Sequence, residues 1–441
     1  MKRGIKVILI VLAVLVFVGV VGFFGYKKWF DPHRGVTKVY VDSKPLDSTL
    51  TADEVKEDID YTMKMLRERH PAWLEKKNER VDALEAKYKE ELAKLDESGR
   101  DSFTVLEEWQ IISGLLHVMR DGHTTVGPNI ERPLFLDDFA EIKTYGVPTK
   151  INGEPTEDVY ERFKLYFSYE LESFVETHFE TNAIIYEPYL RWAEVDTSEG
   201  VTYTFDTEDG PKDYHYSFVP YKEVKNNEAD ESEVDDWVYY KVDRENKIGI
   251  LTVKECNYNY KYKEVVRNFF VEVEATDTKD IIVDLRGNGG GNSNVANEFI
   301  SYLGVDKIKG LRCHVRYGFL LFKFDNPTWK IDRKSPAFSG NVYVLTNAKT
   351  FSSALDYAML VRDNGLGVIV GEAAGNSPDS YGDVLDFLTP NSKLHLGIPF
   401  QRWFRVDNTQ PGDVLAPDYP CDAKDALDKA YELILGERND D

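Results

Sequence analysis

Cysteine is scarce in this 441-residue chain, which carries only Cys256, Cys313 and Cys421. An odd number allows at most one intrachain disulfide. No C-x-x-C pair or metal-like spacing occurs, so a thiol redox motif and a zinc ribbon are excluded and the three read as small core residues. Positive charge is also short. Lys and Arg number 54 against 77 Asp and Glu, a net charge of −23. The basic footprint that phosphate backbones demand is missing, which excludes nucleic acid as a partner. None of the eight histidines pairs with another at H-x-x-x-H spacing, so no helix-borne zinc pair exists. Internal repeats are absent too. Apolar residues are plentiful at 42%, with 13% aromatic, enough for a sizeable core. The acidic surface then serves solubility and mutual repulsion.

The N-terminus carries a long apolar run. Lys2, Arg3 and Lys6 precede an uncharged stretch from Val7 to Tyr26, and Lys27 and Lys28 follow. At a rise of 1.5 Å per residue such a stretch spans about 30 Å, the hydrocarbon thickness of a bilayer. "VVGFFGYKKWF" has no A-x-A cleavage pattern and ends in bulky residues. Residues 1–30 are therefore expected to form an uncleaved signal anchor, a single transmembrane helix, with a cleaved signal as the alternative. Basic residues flank both ends, and the positive-inside rule leans towards a cytoplasmic N-terminus, with the body expected outside. Residues 31–50 are expected as a stalk.

Three regions follow. Residues 51–130 read as helical. Thr51 or Asp53 caps a helix to about Arg69, with Val55, Ile59, Met63 and Leu66 on one face, and Pro71 ends it. Further helices are expected at about 79–97 and 103–119. Residues 131–245 form an irregular α+β middle region. "YGVPTKINGEPTEDVYERF" reads as strand, Asn-Gly turn and helix, and Asp209-Gly210 turns a hairpin. Residues 223–236 are a charge-rich loop. From 246 to 441 strands and helices alternate: "KIGILTVK", a helix at about 260–275, "DIIVDLR", "NVYVLTN", the helix "FSSALDYAMLVRDNG" and "GVIVGE". That order builds an α/β sheet with parallel pairs, whose functional loops follow the C-terminal strand ends.

Two such loops carry chemistry. "DLRGNGGGNSN" starts like a phosphate cradle, but Asn292 stands where a dinucleotide fingerprint needs its third glycine, and no lysine follows as in a P-loop. What remains is close backbone approach, with N–H groups free to stabilise an oxyanion. In "VLTNAKTFSSALDYA", Ser352 and Ser353 lie where a buried strand gives way to a helix. A serine there is either an N-cap or an exposed nucleophile on a sharp turn. His33 falls in the stalk and His70 at a helix end before a proline. His117 packs on a helix, and His178, His215, His314 and His395 sit in helical or strand patterns without nearby partners. His123, in "VMRDGHTTVG", stands at a turn after Asp121-Gly122, where it can face a cleft.

Together these segments resemble peptidase family S41, the tail-specific or C-terminal-processing serine peptidases and the tricorn core protease. "IIVDLRGNGGG" is similar to that family's D-L-R-x-N-x-G-G element, "YVLTNAKTFSSA" to its nucleophile segment, "VIVGEAAG" to the G-E element and "LAPDYP" to the closing P-D element. Gly371 and Glu372 stand 19 and 20 positions after Ser352, the family spacing, which selects Ser352 over Ser353. The lysine that tail-specific members carry 25 positions after the nucleophile is Ser377 here, and no lysine occurs between Lys349 and Lys393. The resemblance therefore points to the histidine-using branch, with His123 in a "DGHT" segment. Gly122 replaces the serine that precedes the tricorn histidine, so the full tetrad does not carry over. "VPTKINGEP" resembles the strand-turn of a PDZ-like unit.

The resemblance implies a crotonase/ClpP-like α/β core and a membrane-anchored, extracytoplasmic serine endopeptidase acting on a peptide or protein substrate. Ser352 is the implied nucleophile and His123 the base. Gly290 or Gly289, with Ser353, are the implied oxyanion donors, and Glu372, Asp121 or Asp383 the acid that orients the histidine. No metal or cofactor is implied. The alternative is a catalytically inactive relative that binds peptides or acts as an envelope scaffold.

Overall fold

The computed structural model describes residues 2–39, 41–226, 236–325, 327–407, 409 and 413–440. Most of the acidic loop expected at 223–236 lies outside these. Lys2–Trp29 forms one 28-residue helix. Its side chains up to Val11, and those of Ala13 and Val14, are outside the described set. Among the described residues no helix is long and apolar enough to cross a membrane.

The C-terminal part is built on a six-stranded sheet. Its order is Val238–Asp243, Ile248–Val253, Asp280–Asp284, Asn341–Thr346, Val368–Gly371 and Tyr419–Pro420. The first pair is antiparallel and the other four are parallel. Parallel neighbours need a crossover, and helices Tyr260–Ala275 and Ser353–Asp363 supply two of them. Side chains alternate across the sheet: Ile281 and Val283 enter one core and Ile282 the other, all at 0% exposure. Burial on both faces explains why this strand reads as a continuous apolar run. Val238–Asp243 joins the sheet although it precedes the expected boundary at 246.

A second sheet was not legible in the sequence. Its order is Leu320–Phe324, Arg312–Tyr317, His395–Phe404, Tyr381–Leu388, and the short strand Thr125–Gly127 pairs antiparallel with His395–Gly397. Ile59, Trp109, Phe163 and Leu396 share one core. The regions 51–130 and 131–245 therefore do not bury separate cores. Each has only one apolar face, and they close over the same C-terminal strands.

Local signals were realised with small shifts. Thr51, not Asp53, caps the helix Ala52–Arg69 through a capping box with Glu54. The helix expected from 103 starts at Val105, because Ser102–Thr104 pairs with Thr49–Thr51 and Thr104 makes a capping box with Glu107. Asn152 (φ 50°) and Gly153 (φ 81°) turn the chain between Lys150–Ile151 and Glu154–Pro155. Val201–Thr207 and Gly210–Tyr216 form the expected hairpin. The segment expected as a stalk instead lies along the body. Thr37 N–H donates to Asp386 O at 2.8 Å, and Ser43 and Lys44 N–H donate to Asn129 O and Ser392 O, each at 2.9 Å. Extended backbone with free donors finds acceptors on the adjoining surface.

Candidate active site

Ser352 stands between strand Asn341–Thr346 and helix Ser353–Asp363, with φ 55° and ψ −126°. An ordinary N-cap serine has extended backbone and turns its hydroxyl onto the first free N–H groups. Ser352 does neither: φ is positive and no side-chain cap bond forms. Such backbone costs a non-glycine residue about 1–3 kcal/mol, and neighbours must hold it there. Its N–H donates to Asn376 Oδ1 at 2.7 Å. Ser353 is already engaged, because its hydroxyl donates to Gly291 O at 2.9 Å and lies 2.9 Å from Ser293 Oγ. The geometry therefore leaves Ser352 with the uncommitted hydroxyl.

The glycine loop is a wall of this turn. Gly287 N–H donates to Asn347 Oδ1, and Phe351 N–H to Asn288 O, both at 2.9 Å. A Cβ on Gly290 (φ 98°) would lie 2.7 Å from Ser352 Cβ and 2.8 Å from Phe351 O, so only glycine permits this approach. Of the expected oxyanion donors, Gly290 is corrected: its N–H already donates to Asn288 Oδ1 at 2.9 Å. Gly289 does not line the cleft, whereas Gly291 and Ser353 do. As the first helical residue, Ser353 has an N–H without an intrahelical acceptor.

His123 reaches the site from the other core. The pairing of Thr125–Gly127 with His395–Gly397 anchors the turn that carries it. His123 is 9% exposed, and neither ring nitrogen has a hydrogen-bond partner among the described residues. Asp121 lies beside it, with Oδ1 4.0 Å from His123 Nδ1 and accepting from the His123 N–H at 3.0 Å. Asp121 also accepts from Thr124 Oγ1 at 2.5 Å and faces His70 Nε2 at 3.2 Å. His70 Nδ1 accepts from Ala72 N–H at 3.2 Å, so His70 Nε2 carries the proton and donates to Asp121. Burial opposes ionisation of Asp121, but the His70 hydrogen bond, the adjacent imidazoles and Thr124 bring its carboxyl below the usual range. Burial lowers the His123 pKa, while the Asp121 charge works against that shift.

Glu170 completes this cluster and was missed in the sequence. It stands in the connection between helices Thr156–Tyr166 and Glu172–Thr181, where nothing in its neighbours distinguishes it from other acidic loop residues. Burial and then the Asp121 charge hold its carboxyl well above the usual range. One ligand atom each from Asp121, His123 and Glu170 all lie within 4.8 Å of one another. Three such donors fit a zinc site with an open position. Asp121, however, is already hydrogen-bonded to His70 and Thr124, so the set suits proton handling better than resident metal.

Ser352 and His123 line one cleft of about 820 Å³, together with Gly291, Ser353, Asp356 and Asp383. Burial first, and the Asp383 charge after it, push the Asp356 carboxyl up to about 7 despite a hydrogen bond from Ser293. Asp383 accepts from Trp403 Nε1 at 2.9 Å and forms part of the wall. Glu372 is corrected as an orienting acid: it accepts from Ala423 N–H at 2.8 Å and Ala348 N–H at 3.4 Å, bracing loops behind the nucleophile. Three histidines expected to lack partners have them. His314 Nε2 lies 2.8 Å from Asp325 Oδ1, His395 Nε2 2.8 Å from Val41 O, and His215 Nδ1 3.1 Å from Thr202 Oγ1.

Comparison with known proteins bears on the fold and on the family of the C-terminal part. Residues 247–420 match the model of peptidase family S41. Mature CPAF complexed with lactacystin is similar at a TM-score of 0.62 and 12% identity, over 88% of this chain and 99% of that one. A candidate peptidase from Parabacteroides merdae ATCC 43184 is similar at a TM-score of 0.50 and 13% identity, over 88% and 97%. At such identities these structures speak for the fold alone. The match spans the sheet that bears both loops, so residues 247–420 are a domain of peptidase family S41.

Proposed function

We propose that this protein is a serine endopeptidase of the histidine-using kind. Ser352 Oγ attacks the scissile carbonyl, and His123 takes the hydroxyl proton and returns it to the leaving amine as the C–N bond breaks. Water, activated by the same histidine, then hydrolyses the acyl-enzyme. The observation that carries this reading is the Ser352 backbone, held at φ 55° with its hydroxyl free of any cap bond, in the cleft that His123 also lines.

Each further group has a role in this scheme. Ser353 and Gly291 offer backbone N–H groups to the oxyanion, and such donors are worth roughly 10²–10³ in turnover each. Asp121 orients His123 through Nδ1. Their 4.0 Å separation must close to about 3 Å as substrate binds, and loose geometry of this kind is ordinary in free enzymes. Burial keeps His123 neutral at pH 7, as a base must be. The uncharged stretch Val7–Tyr26, with basic residues at both ends, supports a membrane anchor with the peptidase body outside the cytoplasm. Retention in the membrane pellet after alkaline carbonate tests that part.

The deciding experiment is labelling of the full chain with a fluorophosphonate probe beside hydrolysis of a denatured protein substrate. Wild type should label and cleave, while Ser352→Ala and His123→Ala do neither. A wild-type protein that does neither under any condition is instead an inactive peptide-binding relative.

A further inference from the structure

Behind the His123 turn lies a second cavity, of about 700 Å³, that the peptidase reading does not use. Seven aromatic residues supply much of its wall: Trp109, Tyr166, Phe167, Phe174, Tyr186, Tyr189 and Trp192. Trp109 and Trp192 stack at 4.7 Å and 10°. Among the described residues, three polar atoms in this wall have no hydrogen-bond partner: Ser113 Oγ, Trp192 Nε1 and His178 Nδ1. Ser113 is 2% exposed and Trp192 3%. Leaving a buried polar group unpaired costs roughly 1–3 kcal/mol, so three around one cavity call for an occupant.

The chemistry of these handles defines the ligand. An indole N–H only donates, so the occupant must present an acceptor oxygen to Trp192. Ser113 and the neutral His178, whose pKa burial lowers to about 4, can each donate or accept. Lys38 and Asp386 bring opposite charges to the lining, so no single sign of charge is selected. The volume is that of an ordinary small-ligand site, apolar with a few placed polar groups. We infer that this cavity binds an uncharged aromatic group bearing a carbonyl or hydroxyl oxygen, held by Trp192 Nε1 and Ser113 Oγ.

The cavity adjoins the active site. Gly122, next to His123, and Val384, which also lines the catalytic cleft, belong to both neighbourhoods. Phe174 in the cavity wall stacks on Phe351 at 4.5 Å, and Phe351 packs against the His123 ring. The aromatic group is therefore either a free molecule or a side chain of the bound peptide.

The test is calorimetric titration of the full chain with N-acetyltyrosinamide, which does not depend on turnover. Saturable binding with a Kd on the order of 0.3 mM is expected for a ligand of this size. Trp192→Phe and Ser113→Ala should each weaken it roughly fivefold while keeping the wild-type melting temperature. N-acetylleucinamide should bind at least about tenfold more weakly, lacking the ring. No saturation, equal binding of the leucine compound, or unchanged affinity in both variants overturns the inference. In Ser352→Ala protein, displacement of N-acetyltyrosinamide by a tyrosine-containing substrate peptide assigns the group to the substrate. Simultaneous binding of both assigns it to a free molecule.

Discussion

The His123 ring packs against the Phe351 ring, with centroids 4.7 Å apart and planes inclined by 32°. Phe351 immediately precedes Ser352, so in the proposed mechanism one residue packs against the base and adjoins the nucleophile. Phe351→Leu is expected to lower kcat roughly tenfold, as misplacement of a catalytic pair does. It should also raise the acid limb of the pH profile, because burial is what lowers the His123 pKa. A fall in kcat with an unmoved acid limb would count against this role.

In the proposed mechanism Ser352 and His123 act as a unit, so their losses should not add. Ser352→Ala, His123→Ala and the double variant are expected to show the same residual turnover, roughly 10⁴-fold or more below wild type. Ser353→Ala keeps the backbone N–H and should retain labelling at Ser352. Measured kcat values for the four proteins decide this, and additive losses would separate the two residues.

The pH dependence follows from the same groups. His123 must be neutral to accept the proton, and burial places its pKa below the ordinary value. Activity should therefore persist below pH 6.5, the unperturbed imidazole value, and fall only at more acid pH. The Asp121 charge raises the His123 pKa, so Asp121→Asn should move the acid limb lower still while reducing kcat. An upward shift of kcat/KM in that variant would contradict the assignment.

Added zinc should inhibit by taking His123 together with Asp121 and Glu170, whose ligand atoms lie within 4.8 Å of one another. Chelation should leave turnover unchanged, and Glu170→Gln should weaken zinc inhibition without abolishing turnover. Loss of activity on chelation, restored by zinc, would instead make the cluster a metal centre.

Stability should carry its own signature away from the cleft. Glu108 is fully buried beside Asp58, and burial followed by the Asp58 charge raises its pKa to about 10. Folding thus requires a proton on Glu108. Its contribution is complete below the unfolded value of about 4.3 and is lost at up to about 1.4 kcal/mol per pH unit as pH rises towards the folded value. Between pH 5 and 9 the melting temperature of wild type should fall more steeply than that of Glu108→Gln. Parallel curves would show that Glu108 folds ionised.

Much of the chemistry was legible because it is local. The strand Asp280–Asp284 runs directly into its glycine loop, and the strand Asn341–Thr346 into the Ser352 turn, so each junction is marked within a short span. Contacts between distant segments left no such mark. Glu170 looks like any acidic loop residue until the fold buries it beside Asp121. Glu372 matched by spacing, yet its carboxylate is spent on Ala348 and Ala423, a use that only backbone placement reveals.

By itself, then, the sequence determined the α/β alternation and the strand-to-helix turn that carries Ser352, since each depends on residues near in the chain. The tertiary structure decided which acid stands by His123, which loop N–H is already donated, and that two cores meet in one cleft. Those outcomes depend on burial and on hydrogen bonds across large sequence separations, and side-chain identity alone does not specify either.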